Sequence, residues 1–347
     1  MRWVSLFVLC TAINFSSSGI AYAASDGIFH VSDWVGRAYW NQHEKQLDHC
    51  SAQLTNADNI TIIYSLDRQY TWSIELSSPA WNFIKGASFD VTFVTGNRGY
   101  LRQRVIATDA HLVRVQLPDS LTIFGSFRRI FQIDLIAGGL TSHFNLTFNN
   151  QVLTALTRCI VRGTSLQSRA AIAAWMKTIG SAAGNNVESS NYKEASALAS
   201  NIMADVAMPN AANAKPNEIP NSLTGDAIWK VGSILFSVSI LTQSEPSKIA
   251  ELASIIIGAD AQKCRGDFFS GAMLDNIKAL RVARVYSTCQ TLQATTSVYY
   301  LVIPRKQGGL YLLATFTSGI EITASGEQTA SDFDSKIRSS ITMALSK

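Results

Sequence analysis

From about residue 28 to 163, apolar and polar side chains alternate with a period of two. Tyr70, Trp72, Ile74 and Leu76 are apolar, while Thr71, Ser73 and Glu75 between them are polar. The rhythm recurs at Phe89, Val91 and Phe93 against Ser88, Asp90 and Thr92, and at Phe131, Ile133 and Leu135 against Gln132 and Asp134. It recurs again at Phe144, Leu146 and Phe148 against His143, Asn145 and Thr147. Successive side chains of a strand point to opposite faces, so these runs predict strands with one face buried and one wet, as in antiparallel sheet. Gly96-Asn97, Pro118-Asp119 and Gly138-Gly139 supply the turns. The region closes on a helix from Gln151 to Arg162 that places Val152, Leu156 and Cys159 on one face.

Beyond residue 164 the period lengthens to three and four. Ile172, Trp175, Met176 and Ile179 predict one helix, and Ala195, Leu198, Ile202, Met203 and Val206 a second, with Gly184-Asn185-Asn186 between them. Residues 207–222 hold Pro209, Pro216 and Pro220 among asparagines, the composition of a linker or long surface loop. The remainder is mixed. A helix opens at Pro246 and runs through Ile256, with proline in a tolerated first-turn position. Phe268-Phe269, Arg281 to Tyr286, Val298 to Ile303 and Leu310 to Phe316 predict strands, the last two joined by a hairpin over 304–309. A closing helix from about Ser331 to Leu345 aligns Phe333, Ile337, Ile341 and Leu345. The apolar run Val231 to Leu241 lies within only fourteen uncharged residues, between Lys230 and Glu245. A membrane-spanning helix needs about 20, so this run predicts a buried strand or core helix.

These elements define an α+β chain. A β-rich domain at 24–163 ends in a helix, a helical connector and Pro/Asn linker occupy 164–222, and a smaller antiparallel sheet with flanking helices fills 223–347. Of the 347 residues 47% are apolar and 16% charged, which excludes a predominantly disordered chain. The 29 Lys and Arg against 25 Asp and Glu are too evenly balanced for the concentrated basic face of a nucleic-acid binder.

Residues 1–23 have the form of a secretory signal: Arg2, an apolar run from Trp3 to Ile13, and Ala21-Tyr22-Ala23 as cleavage site. About eleven apolar residues do not span a bilayer, for which about 20 are needed. The expected location is periplasmic or secreted. Removal of the signal takes Cys10 with it and leaves Cys50, Cys159, Cys264 and Cys289, an even number for an oxidising compartment. Four cysteines allow three pairings; Cys50–Cys159 with Cys264–Cys289 is favoured because each pair then stays within one region. On chain entropy these would contribute at most about 5 and about 3.5 kcal/mol. No CxxC or closely spaced ligand pair supports a thioredoxin-like redox centre or a zinc site.

No assembled catalytic motif is found. The five histidines, His30, His43, His49, His111 and His143, match no common metal-ligand spacing. There is no GxSxG elbow and no phosphate-cradling glycine loop, and Ser190-Asn191-Tyr192-Lys193 lacks the companion motifs of the penicillin-recognising enzymes. No metal or cofactor is expected. Arg98, Arg102 and Arg104 share parity on one predicted strand and Arg114 follows on the next, so the four are candidate ligand-binding residues on one sheet face. Arg128-Arg129 follow them. Residues 24–163 carry twelve basic residues, ten of them arginine, against eleven acidic ones. The alternative to a binding face is a solvated one with local ion pairs.

Two segments carry a resemblance. Phe144 to Cys159 (FNLTFNNQVLTALTRC), with the early Cys50, resembles the strand-helix-cysteine ending of uncharacterised exported proteins of rhizobia and related alphaproteobacteria. Cys264-Arg-Gly-Asp-Phe-Phe-Ser-Gly, Arg284-Val-Tyr-Ser-Thr-Cys289 and Pro304-Arg-Lys-Gln-Gly-Gly-Leu-Tyr are similar to a second module of the same proteins. The resemblance implies export and no particular activity. The leading expectation is an envelope protein that binds or scaffolds without catalysis, its partner an envelope protein, a glycan or an anionic lipid. Two alternatives stand beside it: a secreted hydrolase with His111 or His143 as base, and a binder of anionic envelope polymer or lipid headgroup through Arg98, Arg102, Arg104 and Arg114.

Overall fold

The computed structural model describes residues 27–95, 100–117, 119–137, 140–163, 170–175, 190–206, 211–220, 223–242, 245, 248–277, 280–319 and 335–341. The expected signal at 1–23, the turns at Gly96-Asn97 and Gly138-Gly139, the helix division at 184–186 and the helix opening at Pro246 lie outside these residues. The fold is α+β, with a ten-stranded and a seven-stranded antiparallel sheet.

The larger sheet comprises β1 (Ile28–Val31), β2 (Trp34–Asn41), β3 (Gln46–Thr55), β4 (Thr61–Asp67), β5 (Trp72–Ser77), β6 (Ser88–Val94), β7 (Tyr100–Asp109), β8 (Leu112–Val115), β9 (Gln132–Ala137) and β10 (Leu140–Asn145). Their order is β1-β2-β3-β4-β5-β8-β7-β6-β9-β10. Helix α1 (Ser120–Phe127) lies between β8 and β9 in the chain, and α2 (Asn149–Gly163) follows β10. The sheet curls around α1. Strands β4 and β6 are four places apart, about 19 Å in a flat sheet. Yet Tyr64 of β4 and Phe93 of β6 both bring their rings to 6.4 Å from Phe127. Tyr64 also meets Trp34 at 4.9 Å and Phe124 edge-on at 5.6 Å, so aromatic rings fill the hollow.

The alternation largely marks the inner face: Tyr70, Trp72, Ile74 and Leu76 are all buried, as are Val91, Phe93, Ile133, Leu135, Phe144 and Leu146. Phe131 and Phe148 depart from it. They lie just beyond the ends of β9 and β10, where the pleat no longer dictates direction, and are 65% and 42% exposed. Helix α1 is an element the pattern did not predict. Asp119, read as a turn residue, accepts a hydrogen bond from the Thr122 amide and caps the helix.

The smaller sheet comprises β11 (Ala212–Asn213), β12 (Ala227–Val231), β13 (Ile234–Leu241), β14 (Asp267–Ile277), β15 (Leu280–Gln290), β16 (Thr295–Pro304) and β17 (Leu310–Gly319), in the order β11-β12-β13-β17-β16-β15-β14. The apolar run from Val231 forms the end of β12, a turn with Gly232 at φ +59°, and β13, every residue of which is buried. Part of the expected linker is structured: β11 pairs with β12 and supplies partners for its outer backbone groups. On one face α4 (Ser190–Asp205) and α6 (residues 335–341) pack Ala195, Ile202, Ile337 and Ile341 against Phe236, Leu301 and Leu313. On the other α5 (Ile249–Lys263) packs Ile256 and Ile257 with Val285 and Leu312. A short helix, α3 (residues 170–175), brings Ile172 to Gly258 of α5 so closely that a Cβ there would lie 2.3 Å from it.

One continuous apolar core runs from the larger sheet through α1, α2 and α5 to β14 and β15. At its centre the Trp72 indole stacks on Phe124 at 4.7 Å and on Phe269 at 5.4 Å, and its Nε1–H donates to the Ser270 carbonyl at 2.9 Å. The Ala272 amide donates to the Tyr70 carbonyl at 2.7 Å. Disulfides join Cys50 of β3 to Cys159 of α2, and Cys264 after α5 to Cys289 of β15. Replacing Trp72 by Ala should cost about 3–5 kcal/mol, and by Phe about 1–2 kcal/mol as the Ser270 carbonyl loses its donor. Chemical denaturation would measure both, and a wild-type midpoint for Trp72→Ala would refute this placement of the indole.

Candidate functional site

The outer face of the larger sheet does unite three of the candidate arginines. Register sets Arg114 of β8 opposite Ile106 of β7 and Glu75 of β5, and Arg104 of β7 opposite Asp90 of β6. The arginine side chains there are not bare cations. Arg102 donates to Asp90 at 2.7 Å, and Arg114 donates to one Glu75 oxygen through Nε at 2.9 Å and Nη2 at 2.7 Å. Arg104 is exposed on the same face, and Arg98 lies outside the described residues. Exposed pairs of this kind contribute about 0–1 kcal/mol and cancel the field that would draw an anion.

The histidines lie on the surface. His143 contacts Asp134 across the β9–β10 pair at 2.7 Å, with its side chain 71% exposed. His49 contacts Asp48 at 2.8 Å and stacks on Tyr39 at 4.4 Å, and His111 is exposed in the turn before β8. Ser190 and Lys193 are exposed on the first turn of α4. Among the described residues no group of His, Cys, Asp and Glu has the arrangement of a metal site.

Several charged groups brace the fold. Arg284, nearly buried on β15, lies 3.3 Å from both Asp119 at the start of α1 and Asp275 of β14. Arg158 of α2 pairs with Asp267 of β14 at 2.7 Å. Glu194 of α4 takes hydrogen bonds from Arg305 at 2.9 and 2.8 Å and from the Tyr311 hydroxyl at 2.6 Å. Desolvation raises the Glu194 carboxyl, but these bonds outweigh it and hold the group below its ordinary value. On the sheet-facing side of α5, its residue Asp260 accepts from Tyr300 at 3.1 Å and from Ser287, whose hydroxyl is 3.4 Å from that of Ser270. Burial pushes the Asp260 carboxyl up to about 6, against those bonds and the charge of Lys263.

Among the clefts lined by described residues are two at element junctions. The larger, about 610 Å³, lies among β3, the β4–β5 turn, α2, α3 and α5. Its Arg68 is already engaged by Glu44 at 3.2 Å and Gln46 at 2.7 Å, and Glu251 stands in the same wall. The smaller, about 330 Å³, lies between the two sheets. Arg128 and Arg129, in the turn after α1, form one side, Asn150 and Gln151 at the start of α2 another, and Gln290 and Thr295 at the β15–β16 turn the third. None of its described lining residues is acidic. The half-buried Arg128 donates to the side-chain carbonyls of Asn150 at 2.9 Å and Gln290 at 3.5 Å, and its guanidinium stands 4.9 Å above the Phe269 ring. Its partners are therefore neutral, and its charge remains available to an anion.

The covalent frame serves this cleft. Cys50–Cys159 holds α2 to the larger sheet, and Cys264–Cys289 holds the residue that precedes Gln290. At Gly266 the chain runs so close to Gln290 that a Cβ would lie 2.0 Å from its carbonyl oxygen. The partial positive charge at the start of α2 adds to that of the Arg128 guanidinium. Adjacent arginines were visible as a dipeptide, but no sequence signal joins 128–129 to 150 and 290.

The fold and cleft thus define an α+β chain with two disulfides and a cationic recess where its sheets meet. The sequence matches no protein-family model, and no curated protein matches it.

The shifted carboxyl gives a test of the buried network. Asp260 binds its proton more tightly folded than unfolded, so its protonated form favours folding below about pH 4, and this contribution is lost as pH rises through about 6. Asp260→Asn keeps an acceptor for Tyr300 and does not ionise. Its stability relative to wild type should rise by roughly 1–3 kcal/mol between pH 4 and pH 7. Parallel pH profiles of the two proteins would contradict this.

Proposed function

We propose that the chain is an exported, non-enzymatic binding or scaffolding protein of the cell envelope, periplasmic or secreted, whose ligand presents a phosphate or carboxylate to the cleft between the sheets. The single observation that carries this reading is Arg128: a half-buried guanidinium whose partners among the described residues are neutral, in a recess whose described lining holds no acidic residue. Guanidinium and carboxamide groups together donate the fan of hydrogen bonds that such an anion accepts. Cleft sites of this kind favour the junction between packed units.

Export is supported by the signal-like residues 1–23, by the two disulfides, and by the resemblance to exported alphaproteobacterial proteins. No described helix is long and apolar enough to cross a membrane. The arginines of the outer face are a weaker site than their parity suggests, because Arg102 and Arg114 are matched by Asp90 and Glu75.

Binding of glycerol 1-phosphate and of galacturonate, read by calorimetry, tests the assignment. Arg128→Gln should weaken binding about tenfold, equivalent to about 1.4 kcal/mol, while Arg114→Gln should change it less than about twofold. Affinity should fall as salt is raised. Salt-independent affinity, or equal affinities for wild type and Arg128→Gln, would overturn the assignment.

A further inference from the structure

The cleft has an apolar rim. Phe131 both lines it and is 65% exposed. Phe148, 42% exposed, directly follows the lining residue Thr147, and Leu292, fully exposed, lies between the lining residues Gln290 and Thr295. Exposed apolar residues also occur elsewhere, singly at Ile84 and Tyr100 and along β2 at Val35, Tyr39 and Trp40, the last beside the larger cleft with its Glu251 and its paired Arg68. The three rim residues differ in lining the cationic recess, as Phe131 does, or lying within two residues of its lining in the chain, as Phe148 does beside the larger sheet and Leu292 in the β15–β16 turn of the smaller.

The rim is also held in place. The Thr291 hydroxyl accepts from the amides of Gln293 at 3.2 Å and Ala294 at 3.0 Å, and the Thr291 amide donates to the Ala294 carbonyl at 2.9 Å, so Leu292 stands at the tip of a pinned turn. On the opposite side the Leu146 amide donates to the Phe131 carbonyl at 2.7 Å, and Asn145 takes the Thr147 amide at 3.0 Å. A backbone held this way loses little further conformational freedom on docking. An isolated, soluble anion has no use for exposed phenyl and isobutyl groups around its site. An anion carried at an apolar boundary does: the guanidinium takes the charge while the rim enters the layer beneath it.

We infer that the cleft is a membrane-docking site that takes the phosphate of an anionic phospholipid headgroup, with Phe131, Phe148 and Leu292 entering the interfacial layer of the bilayer. The inference rests on the anion-binding reading above and adds to it the source of the anion. Attraction to a negatively charged leaflet and burial of a few apolar side chains act together in such docking, which is reversible and sensitive to salt.

The test uses the full mature chain with both disulfides formed. Wild type, Leu292→Asn and Arg128→Gln are sedimented with phosphatidylcholine vesicles that contain or lack phosphatidylglycerol, and wild type is titrated separately with glycerol 1-phosphate. The expected result is wild-type co-sedimentation with the phosphatidylglycerol vesicles alone, reduced several-fold by Leu292→Asn, by Arg128→Gln and by added salt. Equal binding to both vesicle types, or full vesicle binding by Leu292→Asn, overturns the inference. Wild type that binds glycerol 1-phosphate but no vesicle overturns docking and leaves the anion cleft standing. Failure to bind either probe overturns both. Thermal unfolding of Leu292→Asn, altered at a fully exposed position, confirms that any loss is not one of folding.

Discussion

The covering of one strand edge governs how this molecule is put together. β14 ends the smaller sheet and offers backbone donors and acceptors that would otherwise template aggregation. They meet the segment Tyr70–Trp72 instead: the Ala272 amide reaches the Tyr70 carbonyl, and the Trp72 indole reaches the carbonyl of Ser270. These directional bonds fix how the two sheets approach each other, and the rings of Phe124, Trp72 and Phe269 then stack across the join. Arg284 and Arg158 add ion pairs to α1 and from α2 on the same side. The recess with Arg128 is the space left where α1, α2 and the β15–β16 turn converge around that contact.

The period-two runs were legible because one face of the larger sheet is wet and the other packs on aromatic rings. β13 was legible for the opposite reason, as an unbroken apolar run buried on both faces. Phe131 and Phe148 were misplaced because alternation reports parity, not where a strand stops. α1 escaped because its eight residues span little more than two turns and follow a Pro-Asp pair that reads equally well as a turn or a cap. The disulfide partners were anticipated by keeping each pair within one region, and the structure joins the same cysteines.

The candidate site was harder to read for a physical reason. Parity placed Arg102, Arg104 and Arg114 on one face, but whether an arginine is neutralised depends on strand register. Asp90 and Glu75 become neighbours only once β6 pairs with β7 and β5 with β8. The recess needs more still: residues from 125 to 295 meet in it, and nothing local in the chain announces their company. The protein uses the same cation in three ways. It neutralises acids on the outer sheet, braces helices against strands at Glu194 and Asp267, and at Arg128 stands among neutral carbonyls.

Gly271 carries a consequence for how this sequence can drift over generations. A methyl group there would lie 2.8 Å from the Trp72 ring and 2.9 Å from Leu121. The indole packs against β14 where position 271 carries no side chain, and the bare position is filled by the indole. The two sites, nearly 200 residues apart, are therefore coupled: what is tolerated at 271 depends on what stands at 72, and a smaller ring at 72 opens room for a methyl at 271.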